Sequence, residues 1–259
     1  MHELPLVFFT VLAQASAGLL ILSVINQLIN RKATTDQALF KMGVACLVLV
    51  ALAGGSAILH LGRPFRAINA LFGTGRSPMS NEIVSCAVYG GLLFISLAVM
   101  YLRPKLKGLQ LLLRVITAVS AVVLIVLIPR VYTLITIPQW DTHFTSYQMI
   151  LAAFTAGGAL ALIWQPTRLN MVITVFAAAL GFLIIPSYMA HLSASSPEML
   201  MQGMGFFDAK LVLYAVALVL AVYSYKKRIV PVALSSGVVF IVAELAGRIA
   251  FYDLWSIGM

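Results

Sequence analysis

The sequence predicts an all-α integral membrane protein, a bundle of eight transmembrane helices forming one domain over residues 1–259. Three observations predict it. Of the 259 residues, 62% are hydrophobic and only 10% are charged, whereas a soluble domain carries about a quarter of its residues as Asp, Glu, Lys or Arg. The mean hydropathy is +1.03. The apolar residues gather in eight stretches, each long enough to cross a hydrocarbon core as a helix. So few charges cannot cover a water-facing surface, which excludes a soluble enzyme or binding module. No polar block is long enough to form a separate aqueous domain.

The first stretch covers residues 5–29 and follows Met1-His2-Glu3-Leu4, which lacks the basic segment of a cleavable signal. It is expected to insert as an anchor. The second, 42–61, stops at Gly62 and Pro64. The third, 81–102, is followed by Pro104, and the fourth covers 110–128. The fifth, 147–164, precedes Pro166, and the sixth covers 171–191. Residues 209–225 and 231–252 form the last two. Each is expected to be helical, because a lone span in lipid must satisfy its own backbone hydrogen bonds.

Basic residues set the expected orientation. Connections after the odd spans carry Arg31, Lys32, Lys41, Arg103, Lys105, Lys107, Arg114, Arg168, Lys226, Lys227 and Arg228. The opposite side, with helix ends included, has Arg63, Arg66, Arg76, Arg130, Lys210 and Arg248. Eleven against six makes the odd connections cytoplasmic and puts both termini outside. All acidic residues except Asp36 fall on the outer side.

A net charge of +9 would suggest nucleic acid in a soluble protein. Here the basic residues form short clusters between apolar runs, so the expected surroundings are a lipid bilayer and no nucleic acid. Cys46 and Cys86 lie inside apolar runs, with no CxxC or Cys/His cluster. They read as small core hydrophobes, and no metal or iron–sulfur site is expected within this protein.

The expected topology places His2, His60, His143 and His191 at the outer side. His60 opens the longest connection, which runs through Gly62, Arg63, Arg66, Gly73, Gly75 and Arg76 to Ser80. Apolar residues between its arginines suit a segment lying in the membrane interface. Ser80 is the expected N-cap of the third span, which puts Glu82 in its first turn. On the last span Glu244 and Arg248 are four residues apart, so an intrahelical ion pair is expected, with Tyr252 continuing that face. Arg130-Val131-Tyr132 forms another outer polar turn, where Arg130 could hold Glu82, Glu244 or a partner subunit.

A His, a carboxylate and an Arg at the bilayer's edge suit the oxidation of a quinol. That reaction releases two electrons and two protons. Imidazole accepts a proton near neutral pH, a carboxylate orients it or passes the proton on, and an Arg stabilises a developing oxyanion. Apolar walls hold the ring and its tail.

At these residues the sequence resembles the membrane anchor subunit of dimethyl sulfoxide reductase, the DmsC family. The resemblance is carried by His2-Glu3-Leu4-Pro5-Leu6 with Phe8-Phe9-Thr10, His60-Leu61-Gly62 to Arg66-Ala67, and Ser80-Asn81-Glu82-Ile83. Arg130-Val131-Tyr132 and Glu244 to Arg248 with Phe251-Tyr252 extend it over the whole sequence. Leu4 stands where the family often has an aromatic residue. The resemblance implies an anchor for a molybdopterin catalytic subunit and an iron–sulfur electron-transfer subunit on the periplasmic side. It implies menaquinol oxidation to menaquinone, with no haem, in a bacterial inner (cytoplasmic) membrane with both termini periplasmic. His60 and Glu82 would be the quinol-oxidation residues, Gly62, Arg63 and Arg66 would help bind the quinol, and Arg130, Tyr132, Glu244, Arg248 and Tyr252 would support them. Related anchors serve selenate and other oxo-anion reductases, so the partner's acceptor stays open.

Three other readings compete. A haem b cytochrome would use His60 and His191 as axial ligands. A secondary transporter would show duplicated halves and charges near mid-bilayer, whereas no repeat is visible. A purely structural tether would bind no quinone.

Overall fold

The computed structural model describes residues 3–30, 34–60 and 64–254, and for 64–67 the backbone alone. Gly62 and Arg63 lie outside the described residues, as do His2 and the Arg66 side chain. Among the described residues, eight α-helices follow in order: α1 Leu4–Ile29, α2 Asp36–His60, α3 Pro78–Leu102, α4 Lys107–Arg130, α5 His143–Trp164, α6 Arg168–Ser195, α7 Pro197–Lys227 and α8 Val230–Asp253. All eight are long and apolar enough to cross a membrane. A 3-10 helix, Pro64–Gly73, lies between α2 and α3. No strand occurs among the described residues.

α1 is the hub. It packs against α2, α4, α5 and α8, and 83% of its spanning window is buried, against 22% for α3 at the periphery. In lipid, helices gain little from apolar burial and associate through close packing of small residues. The α1–α5 crossing follows that rule. A Cβ added to Gly18 would lie 1.8 Å from the Ala153 carbonyl oxygen, and one on Gly157 would lie 2.6 Å from the Leu19 nitrogen. The two backbones touch, with Ala15, Ala152 and Ala156 buried around them.

Helix bounds depart most from expectation in α7, which begins at Pro197 rather than near residue 209. Its first turns carry Glu198, Gln202, Asp208 and Lys210, which break the apolar run without breaking the helix. At 31 residues it is about 46 Å long, more than a hydrocarbon core of about 30 Å requires. Lys210 therefore sits thirteen residues inside the helix and is buried, not in an outer connection. Arg114 and Arg248 are likewise buried within spans. Counting the remaining basic residues leaves ten against four, so the asymmetry behind the expected orientation grows.

Arg114 also shows how the end opposite the termini is held. Its guanidinium donates to Gln27 Oε1 (2.8 Å), Ser23 Oγ (2.6 Å) and the Leu39 carbonyl (3.4 Å). Nearby, Asn26 Nδ2 donates to Asn170 Oδ1 at 2.5 Å while Thr167 Oγ1 donates to Asn26 Oδ1 at 2.8 Å. These bonds tie α1 to α2, α4 and α6.

Candidate functional site

At the end of the bundle carrying the termini, α1, α2 and α3 leave a crevice of about 400 Å³ between them. Leu6 and Phe9 of α1 form its back wall, and Val50, Gly54, Ala57, Ile83 and Gly90 its sides. Ala51, Ile58 and Ala87 line it and are exposed, so it opens sideways at the surface that lipid would cover. Small residues on facing helices keep it open: nothing lies within 4 Å of a Cβ built on Gly54 or Gly90. Deeper in the bundle, Ser16 of α1 donates to the Cys46 carbonyl (2.8 Å) and hydrogen-bonds the Tyr89 hydroxyl (2.7 Å), joining the three helices.

Among the described residues, two polar side chains line this apolar crevice, His60 and Glu82. His60 is the last residue of α2. Glu82 is buried, 6% exposed, and its Oε1 has no hydrogen-bond partner among the described residues. An unmet buried acceptor costs about 1–3 kcal/mol or more when charged, so this oxygen is suited to a ligand's hydroxyl.

Glu82 reaches the crevice through a turn built by the residues just before it. The N-cap of α3 is Ser77, whose side chain accepts from the Ser80 backbone N–H, with Pro78 following. This corrects the expectation that Ser80 caps the helix: the span starts earlier, and Glu82 stands in its second turn. Proline after Ser77 favours that earlier start, because a missing N–H costs nothing there. Ser80 instead packs against Gly73, where a Cβ would lie 2.3 Å from its Oγ. Asn81 Oδ1 accepts from the Gly75 N–H at 2.7 Å, and Gly75 has φ +83°, a left-handed conformation that favours glycine. The Ser80-Asn81-Glu82 run thus fixes the connection and aims the carboxylate. Ile68, Leu71 and Phe72 of the 3-10 helix are exposed apolar residues, as an interfacial segment requires.

Arg248 of α8 also stands inside the bundle. Arg248 is buried and donates to Gln14 Oε1 at 2.9 Å. The expected Glu244–Arg248 ion pair is absent. Glu244 Oε2 instead pairs with Lys210 Nζ at 2.9 Å, and its Oε1 accepts from Thr155 Oγ1 (2.8 Å) and from the Tyr214 hydroxyl. Interhelical packing decides this: α7 lies along α8 and brings a buried ammonium to the carboxylate. Gln14 escaped the sequence reading, which took Lys210 only as a basic residue of the outer side, because its signal was a lone cation beside an apolar run. The pair puts two ionisable groups inside the bundle.

Tyr132 and Tyr252 join hydroxyl to hydroxyl at 2.5 Å. Trp140 stacks on Phe251, with centroids 4.9 Å apart, and donates from Nε1 to its carbonyl at 2.8 Å. Tyr132 lies between α4 and α5, and burial pushes its phenol well above the ordinary range, keeping it neutral. Arg130 is exposed and holds neither carboxylate. His143 and His191 line a different cavity, with Asp141 and Phe144. His60 and His191 therefore face separate spaces, which the haem reading would need joined.

One residue outside the expected set enters the site. Glu3 Oε2 lies 3.7 Å from His60 Nε2. The sequence contained the signal, an acid next to the first span.

Fold and site together define a multi-pass membrane protein with a lipid-open crevice that holds a histidine and a buried carboxylate near one membrane face. The protein belongs to the DMSO reductase anchor subunit (DmsC) family, whose match covers residues 1–254. It is similar over its full length to the C subunit of the anaerobic dimethyl sulfoxide reductase of Escherichia coli strain K12, at 30% identity over 282 residues and 97% of that relative. The corresponding C subunit of Haemophilus influenzae is 33% identical over 162 residues, 62% of this protein and 58% of the relative. The YnfH subunit of an anaerobic dimethyl sulfoxide reductase of Escherichia coli strain K12 is 31% identical over 180 residues, 68% of this protein and 62% of the relative. In these last two cases the matched region spans less than two thirds of the relative's length.

Proposed function

We propose that this protein is the membrane anchor of a molybdoenzyme complex of the dimethyl sulfoxide reductase type, oxidising menaquinol at the periplasmic side. Electrons pass to an iron–sulfur subunit, and from there to a molybdopterin subunit that reduces the terminal acceptor. The observation that carries this reading is the shared crevice of His60 and Glu82, apolar elsewhere and open to lipid.

Mechanistically, the quinol ring enters from the membrane with its tail trailing past Ala51 and Ala87. One hydroxyl donates to the unmet Glu82 Oε1, the other to the His60 imidazole. As two electrons leave for the iron–sulfur subunit, the two hydroxyl protons pass to these bases and then to the periplasm. Arg248, buried in α8, offsets the negative charge that builds during transfer. The cation stays fixed because Gln14 holds its guanidinium within the buried interior.

The test is quinol-driven turnover in His60→Gln and Glu82→Gln complexes. Each should assemble and keep activity with an artificial dye donor to the partner subunits, while menaquinol oxidation falls about 10²-fold or more, the scale of lost acid–base catalysis. Menaquinol oxidation at the unsubstituted rate in both would overturn the assignment.

A further inference from the structure

Quinol oxidation in the crevice leaves a proton on His60, and the crevice itself has apolar walls. That proton needs a way out. Glu3 stands at the N-cap of α1, where its backbone carbonyl accepts from the Leu6 and Val7 N–H groups (3.0 and 3.1 Å). Its side chain makes no capping hydrogen bond, and Pro5 lies just inside the helix. An N-cap carboxylate normally turns inward onto the first free N–H groups. This one is directed to His60 instead, at 3.7 Å from Nε2. The His60 and Glu3 side chains are 34% and 31% exposed, whereas Glu82 is 6% exposed. Exposure therefore rises from the deep carboxylate to the histidine and the acid beside it. Among the described residues, the other ionisable groups around Glu3 and His60 are Glu82 on α3, and Tyr252 on α8, whose hydroxyl is occupied by Tyr132.

We propose that Glu3 is the proton-releasing residue of the quinol site: it takes the proton from the His60 imidazolium and delivers it to external water. In this step the Nε2–H bond of His60 breaks, an O–H bond forms at Glu3 Oε2, and no electron moves. The carboxylic acid then loses its proton to water, restoring both groups. The two electrons of the quinol have already gone to the iron–sulfur subunit. The inference rests on the quinol-oxidising reading above and adds a residue to it. At 3.7 Å the pair is beyond direct hydrogen-bond range, so transfer requires a small approach of two half-exposed side chains or one intervening water.

The experiment uses the whole complex carrying Glu3→Gln or Glu3→Asp. Three quantities are measured: menaquinol-driven turnover, affinity for a quinone-analogue inhibitor, and turnover with added small buffer acids such as imidazole. Glu3→Gln should lower turnover about tenfold or more with analogue affinity within about twofold. Glu3→Asp should keep most of the rate, and imidazole should restore much of the Gln variant's loss, which a merely structural role would not allow. Full turnover in Glu3→Gln overturns the proposal while His60→Gln and Glu82→Gln remain inactive. A loss that tracks weakened analogue binding, and that imidazole does not relieve, overturns it too. Should His60→Gln and Glu82→Gln also turn over normally, the quinol reading itself fails, and the two failures are told apart.

Discussion

Glu244 on α8 is paired with Lys210 on α7 at 2.9 Å, not with Arg248 one turn along its own helix. This choice of partner organises the polar interior. Glu244 gains Lys210 as its cation, while Arg248 donates to Gln14 of α1. Had Glu244 taken Arg248, Lys210 would be a bare buried ammonium.

The pair should behave asymmetrically when broken. With Lys210→Met, Glu244 still accepts from Thr155 and Tyr214. With Glu244→Gln, Lys210 keeps no paired anion among the described residues, only the Tyr214 ring 5.3 Å away. Both single variants should lose stability, on the scale of ~3–5 kcal/mol for a broken buried pair, Glu244→Gln more than Lys210→Met. The double Lys210→Met, Glu244→Met variant should recover part of that loss. Thermal unfolding of the three detergent-solubilised variants gives the order.

Glycines at the hub and at the crevice should respond in opposite ways to the same change. Gly18→Ala places a methyl 1.8 Å from the Ala153 carbonyl oxygen and should cost about 1–3 kcal/mol as α1 and α5 are forced apart. Gly54→Ala meets nothing within 4 Å and should change stability by less than about 0.5 kcal/mol. Side-by-side unfolding curves distinguish them.

Orientation follows from the basic residues that remain outside the bundle core. Periplasmic reporter fusions at both termini, and between α4 and α5, should be active, while fusions between α3 and α4 or between α5 and α6 should report the cytoplasm. Thiol labelling of single cysteines placed at Thr74 and Lys105 in intact cells should divide the same way, with Thr74 labelled.

Much of this molecule was legible in its sequence, for a physical reason. Hydropathy reports what faces lipid, so eight helices and their order follow from composition. Position along the sequence also placed His60 and Glu82 at the same membrane end, since they close the second span and open the third. What faces protein is less legible. Lys210 and Glu244 meet only because α7 lies along α8, and no spacing within either segment signals a partner thirty-four residues away. The Ser80 cap was misplaced because both Ser77 and Ser80 suit an N-cap, and Pro78 decided between them. Glu3 carried a signal as an acid beside the first span, but only the fold shows it turned toward His60.

The central claim is that the crevice between α2 and α3 receives the quinol head, and filling it is the most direct test. Gly54→Trp and Gly90→Trp place an indole in space that is open in the native protein, without replacing His60 or Glu82. Equilibrium binding of a fluorescent quinone analogue to the purified complex is the measurement. Affinity reduced about tenfold or more, roughly 1.4 kcal/mol, in each Trp variant but retained in Gly54→Ala, is the predicted result. Native affinity in both Trp variants would contradict the account and move the quinol elsewhere on the protein.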